Sequence, residues 1–399
     1  MEVLKFPEDF LWGTATSAYQ VEGGIENSDW AKDFPAGQAC NHYNLYEEDF
    51  NLTKKLNQNA HRFSIEWSRI EPKEGKFNEK ELEHYKKVLQ ILKSRGIKTM
   101  LTLHHFTNPL WLAEIGGWEN SKVIFYFSRF AQRIFNKYSN LVDFWITINE
   151  PLVYASISYL KRRWPPKKQN PILFLKVVRN QIACHKKIYE IFHKPPHQNF
   201  GGGDKSNPDV KVGIAKNNNY FQPFNPTSPL DGLIVIIYRY FWNEYFLNRI
   251  KNHLDFIGLN YYSRDKVGLP FPKRTKDEVK LSDIGWQIYP EGIYHVLKEL
   301  KRYNLPIYIT ENGLADAKDR LRKDFIRDHL YWVHEAISEG VDVRGYLHWS
   351  LMDNFEWDSG FEPRFGLIKI DYKTLERKPR PSASYYAKIC KNNQLTINN

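Results

Sequence analysis

Along the chain, short runs that alternate apolar and polar residues, or are apolar throughout, are separated by longer stretches with apolar residues every third or fourth position. The first pattern predicts strands and the second amphipathic helices. Strands are expected over 9–17, 60–67, 98–105, 143–151, 210–218, 254–262, 306–313 and 343–353. Between them lie segments such as EKELEHYKKVLQILKSRG, in which Leu82, Tyr85, Val88, Leu89 and Leu92 share one helical face and Gly96 supplies a C-cap. Eight strand–helix repeats predict an α/β fold, a single (β/α)8 TIM barrel occupying 1–399 as one catalytic domain. The GGGDKSNPD tract at 201–209 reads as a long flexible loop before the fifth strand, and no segment reads as a linker between domains.

Composition narrows the setting. With 399 residues, 42% of them hydrophobic, the chain can bury a large core. Cys40, Cys184 and Cys390 are too scattered for a disulfide framework or metal site, which favours a reducing compartment. MEVLKFPEDF carries acids and a proline where a signal peptide needs an apolar core, and the best apolar run, LIVII at 233–237, soon meets Arg239. A cytoplasmic protein with no membrane partner is expected. The formal charge of +11 would attract phosphate. Its basic residues are dispersed among acids, however, and KRRWPPKK at 161–168 reads as a surface loop, so no nucleic-acid partner is expected.

Two of the strands end alike. WITINEP (145–151) stops on Asn149, Glu150 and Pro151, and IYITENG (307–313) stops on Glu311, Asn312 and Gly313. In a (β/α)8 barrel the C-terminal strand ends form the catalytic face. That face would also receive Gln20, Arg62, Glu66, His104, His105, Asn260, Tyr262, Trp349, Glu356 and Trp357. Carboxylates, amides and indoles suit a sugar, whose hydroxyls need donors and acceptors and whose ring stacks on aromatic faces. Glycosidic cleavage needs two carboxyl groups in different protonation states. His104 and His105 are adjacent and point to opposite faces of a strand, and no HExxH pair exists, so metal hydrolysis is disfavoured.

FLWGTATSAYQVEG, HRFSIEWSRI, TLHHFTNPLWL, TINEP, LNYY, YITENG and HWSLMDNFEW, in this order across nearly the whole chain, resemble glycoside hydrolase family 1, the β-glucosidase and β-galactosidase family. The resemblance implies that Glu150 is the general acid/base and Glu311 the nucleophile of a retaining double displacement, with no cofactor. It implies that Arg62 and Tyr262 keep Glu311 ionised, with Asn260 in support. It places Gln20, His104, Asn149, Glu356 and Trp357 on the sugar hydroxyls and Trp349 under the sugar ring. Each position has a plainer reading: Trp349 as a core aromatic, His104 as a satisfied barrel histidine, Arg62 as an ion-pair partner of Glu66 or Glu311. Where the family's 6-phosphoglycosidases usually carry serine, this chain has Glu356, whose charge would repel a phosphate; the expected substrates are unphosphorylated β-D-glucosides and β-D-galactosides.

The chain also departs from the family pattern. Ser158, Arg162 and Lys167 stand where glycines are expected, in SYLKRRWPPKK, so the loop after the fourth strand is expected to be rebuilt. Residues 219–253 alone separate the fifth and sixth strands, a shorter excursion than is usual, with one helical candidate, LIVIIYRYFWNEYFLNRIKNHL. The leaving-group side is therefore expected to be open, with aromatic surface exposed to another ligand. The alternative to an enzyme is a carbohydrate-binding barrel that has lost turnover through shortened loops. Oligomeric state is left open.

Overall fold

The computed structural model describes residues 2–194, 210–268 and 280–397; the 201–209 tract lies outside them. Eight parallel strands close into a barrel: β1 (Leu11–Ala15), β2 (Ala60–Ser64), β3 (Lys98–His104), β4 (Phe144–Asn149), β5 (Val212–Asn217), β6 (Phe256–Asn260), β7 (Ile307–Asn312) and β8 (Val343–Trp349). Each pairs with its sequence neighbours, and β8 returns to β1. All eight fall inside the segments expected from alternation.

The helices include α1 (His42–Lys55), α2 (Glu79–Ser94), α3 (Val123–Tyr138), α4 (Pro151–Tyr159), α5 (Pro171–His193), α6 (Pro229–Tyr238), α7 (Glu291–Leu300), α8 (Arg322–Ser338) and α9 (Pro381–Asn392). In α2 the five apolar residues spaced at three and four are the buried ones, and the Asn78 side chain accepts from the backbone N–H groups of Lys80 and Glu81. Gly96 follows at φ +68°, the left-handed turn that glycine takes without strain.

Inside the barrel, Met100, Phe144, Ile146, Ala215, Phe256, Tyr308 and Leu347 form a plug. Such filling makes the barrel a packed core and confines chemistry to the C-terminal mouth. Between β5 and β6 the chain passes through Tyr220–Pro223, α6, a π-helical turn at Arg239–Glu244 and a last turn at Tyr245–Ile250, and beyond β6 Arg264–Val267 pairs with Tyr220–Pro223 as a short parallel ribbon. One broken helix thus spans that excursion, as expected. No helix among the described residues is long and apolar enough to cross a membrane.

Candidate active site

The two carboxylates stand at the barrel mouth because their strands end differently. Glu150 follows β4 directly, at φ +41°, with its N–H bonded to Ala215 O at 2.8 Å and Pro151 opening α4. A left-handed glutamate is strained, a cost usually retained where side-chain aim matters. Glu311 lies within β7. Two residues on, Gly313 has no room for a side chain: a Cβ there would sit 1.8 Å from Trp349 O on β8.

One hydrogen-bond network holds both acids. The buried Arg62 guanidinium donates to Glu311 Oε1 at 2.5 Å, to Asn149 Oδ1 at 2.6 Å and, through Nε, to Thr102 Oγ1 at 3.2 Å. Tyr262 donates its hydroxyl to Glu311 Oε2 at 2.6 Å. Asn260 donates to Glu150 Oε1 at 2.8 Å and to Asn149 Oδ1 at 3.1 Å, while its own oxygen accepts from Thr310 at 2.7 Å. Glu66 is not Arg62's partner; it accepts from Ser68 and Thr107.

Protonation follows from this asymmetry. Burial, and then the charge of Glu311, push Glu150 up to about 8. Burial pushes Glu311 up as well, but the Arg62 charge and the Tyr262 hydroxyl oppose it. With one proton to share, the pair keeps it on Glu150 and leaves the charge beside Arg62.

Around the pair, Gln20 donates to Glu356 Oε2 at 3.1 Å and to Asn354 Oδ1 at 3.0 Å. Burial and the Glu311 charge push Glu356 up to about 8, which favours its protonated form near neutral pH. A fixed negative charge there, expected as a phosphate filter, is thus present only at higher pH. Trp349 packs with Tyr262 and Phe365 beside the network, and Trp357 stacks on Tyr19 at 6.2 Å.

His104 is a correction. Its ring lies between Trp118 and Tyr154, with Nε2 against Asn108 Oδ1 and the Trp118 N–H at 3.2 Å. It is turned into the helical layer, away from the sugar-type cluster. His105 takes the inner place, bonded to Asn149 Nδ2 at 3.1 Å and stacked with Trp349 and Trp357 at 5.9 and 5.8 Å. Burial and Arg62 hold its imidazole neutral. The inward alternation of Met100 and Thr102 does not continue to His104, and the neighbouring β4 has a register irregularity between Ile146 and Asn149 at the same height. The aim of a strand's last side chain has no mark in residue periodicity.

Lys216 was not singled out from sequence. It is buried on β5, its ammonium 5.5 Å from the Trp242 ring centre, and burial lowers its pKa to about 7 while Glu150 pulls it up. In the loop after α4, Arg162 and Lys167 adopt φ of +56° and +57°, the left-handed conformations for which glycine was expected, whereas Ser158 is helical.

The model of the family described as "Glycosyl hydrolase family 1" matches residues 3–249 and 243–395. Beta-glucosidase A of Thermotoga maritima is 34% identical over 457 aligned positions that cover 99% of this chain and all of that protein. A beta-galactosidase of Pyrococcus woesei is 31% identical, with 98% of each chain covered. Among solved structures, a beta-glycosidase from Pyrococcus horikoshii superposes with a TM-score of 0.91 at 37% identity, covering 99% of this chain and 97% of that one. A Thermotoga maritima family 1 glycoside hydrolase complexed with a cyclophellitol analogue transition state mimic gives a TM-score of 0.90 at 32% identity, covering 99% and 100%.

Proposed function

The chain belongs to glycosyl hydrolase family 1 and is a glycoside hydrolase, and we propose that it cleaves unphosphorylated β-D-glucosides and β-D-galactosides with retention, using Glu311 as nucleophile and Glu150 as acid/base. The observation that carries this is the unequal treatment of two buried carboxyls. One is bound by Arg62 and Tyr262, and the other is bound by an amide and pushed up to about 8.

In the first step a Glu311 oxygen attacks the anomeric carbon while the bond from that carbon to the leaving oxygen breaks, and Glu150 gives its proton to that oxygen. The glycosyl ester removes the charge of Glu311, so Glu150, now ionised, loses the repulsion that raised its pKa. It then takes a proton from water as that water's oxygen attacks the anomeric carbon. The ester bond breaks, returning Glu311 as carboxylate and Glu150 as acid. Asn149, held by Arg62, addresses the 2-hydroxyl; Gln20, His105, Glu356 and Trp357 take the outer hydroxyls, and Trp349 stacks beneath the ring. No metal or organic cofactor enters these steps.

The test is hydrolysis of p-nitrophenyl β-D-glucoside and β-D-galactoside by the wild type, Glu311→Ala and Glu150→Ala, with azide as external nucleophile. Activity in the wild type, loss in both variants, an α-azide from Glu311→Ala and a β-azide from Glu150→Ala are expected. A folded wild type that binds glucose without releasing nitrophenol would support the carbohydrate-binding alternative instead.

A further inference from the structure

A buried ammonium stands beside the acid/base, and the displacement steps give it no task. Lys216 is 1% exposed near the mouth end of β5. An ammonium has three hydrogens to donate, and among the described residues one acceptor meets it, the Asn217 carbonyl oxygen at 2.5 Å. The face of Trp242, 5.5 Å away, adds partial compensation. A lysine is almost never fully buried unless it is paired. Packing alone asks for no charge here, since Val212 and Ile214, at alternate positions of the same strand, are apolar members of the core.

The backbone ties this ammonium to Glu150. The Ala215 carbonyl, one residue before Lys216, accepts the Glu150 N–H at 2.8 Å. One residue after it, Asn217 pairs across the sheet with Asn260, whose side chain donates to Glu150 Oε1 at 2.8 Å. Glu150 is the charge that acts on Lys216. Glu150 in turn feels Glu311 and Arg62, and Arg62 is committed to Glu311 and Asn149. The other elements against this part of β5 bring it no competing charge. Helix α4 carries no charged side chain, and β6 sets the uncharged Leu259 and Asn260 opposite Lys216 and Asn217. In the π-helical turn that carries Trp242, Arg239 lies 3.3 Å from Glu244, which also meets Arg302 at 2.7 Å.

We infer that Lys216 is a positioning residue for the second half of the reaction, its ammonium stabilising the Glu150 carboxylate while the sugar is esterified to Glu311. The inference rests on the roles proposed for those two acids. When the leaving oxygen takes the Glu150 proton, a buried carboxylate remains and the Glu311 charge is cancelled by the ester. A cation beside that carboxylate keeps it ionised and able to take the proton of the incoming water. The selectivity for this step follows from the two titrations. In the free enzyme Glu150 titrates at about 8, above the amine, which burial lowers to about 7. In the ester Glu150 titrates lower, where the amine is charged.

The test is Lys216→Met, which keeps an unbranched side chain beside Trp242 and removes the charge. Wild type and variant are trapped as the 2-deoxy-2-fluoroglucosyl ester, and Glu150 is titrated by carbon-13 NMR. In parallel, kcat is followed against pH for 2,4-dinitrophenyl β-D-glucoside, whose leaving group needs no proton, so that ester hydrolysis limits turnover. In the variant, Glu150 of the ester should titrate higher by about half a unit or more, and kcat on the acid side should fall about threefold or more, while the alkaline limb of kcat/KM moves less. An unchanged Glu150 titration, with or without a lower melting temperature, makes Lys216 a structural residue only and overturns the inference. An equal shift in the free enzyme overturns its assignment to the second step. A wild type that forms no ester with the fluoroglycoside sinks the reading of Glu311 as nucleophile and the inference with it, whereas an ester that forms and titrates alike in both proteins sinks the inference alone.

Discussion

Neutralising Glu311 is expected to lower the pKa of Glu150 by about 2 units. Two unit charges at the roughly 5.5 Å separation of a retaining pair, in an effective dielectric of about 20, repel by about 3 kcal/mol, or about 2 pKa units. Glu150 stands at about 8 with Glu311 charged. Trapping Glu311 as a 2-deoxy-2-fluoroglucosyl ester should bring it to about 6, and Glu311→Gln should act alike. The remaining elevation above an ordinary glutamate is burial, which the ester does not relieve. The assay is a carbon-13 NMR titration of glutamate side-chain carboxyls in free and trapped protein, with Glu150→Gln assigning the resonance. In the free enzyme the alkaline limb of kcat/KM should fall as pH rises through about 8, because Glu150 must start protonated. A shift below half a unit on trapping would refute the electrostatic coupling on which the acid-to-base exchange depends.

Removing the hydroxyl in Tyr262→Phe deletes a bond to a charged oxygen, commonly about 1.5–3 kcal/mol, so kcat/KM should fall roughly ten- to a hundredfold; a change within twofold contradicts the role. His105→Asn should cost kcat/KM at least tenfold, whereas His104→Phe should lower the melting temperature, because a larger ring must fit between Trp118 and Tyr154, while changing kcat/KM little, which steady-state kinetics and calorimetry would separate. Glu356 has a raised folded pKa, so its contribution to stability is fully present below the ordinary glutamate pKa and is lost as pH rises through about 8. Glu356→Gln should accordingly flatten the fall of melting temperature between about pH 5 and 9, and an unchanged slope would count against a half-buried, protonated carboxyl.

Much of this site was legible because barrel strands carry two signals at once. In WITINEP and IYITENG the apolar run marks the strand and the residues that interrupt it mark the mouth, so Glu150 and Glu311 were located by the same pattern that located β4 and β7. Arg62 was ambiguous, since in sequence its guanidinium could serve Glu66, just beyond its own strand, or Glu311 across the barrel; only the inward aim of β2 decides for Glu311. The exchange of His104 for His105 was hidden for a different reason. β3 keeps its register with β4 up to His104, and the aim of that last side chain is set by its packing on Trp118 and Tyr154, which residue alternation does not record. The segment 233–254 was visible as a helix, but its orientation was not. Apolar spacing identifies a face; the neighbours that leave it uncovered are a property of the tertiary fold. The ribbon of Tyr220–Pro223 with Arg264–Val267 was not expected either, as its four-residue strands pair over a long separation in sequence.

The central claim is double displacement through Glu311, and the most direct test is the anomeric configuration of the first product. Hydrolysis of p-nitrophenyl β-D-glucoside in deuterated buffer, followed by proton NMR within the first turnovers, should show the β-hemiacetal of glucose appearing first and the α-anomer growing only at the rate of mutarotation. Initial release of the α-anomer would mean inversion by a single water attack, and would contradict the assignment of Glu311 as nucleophile.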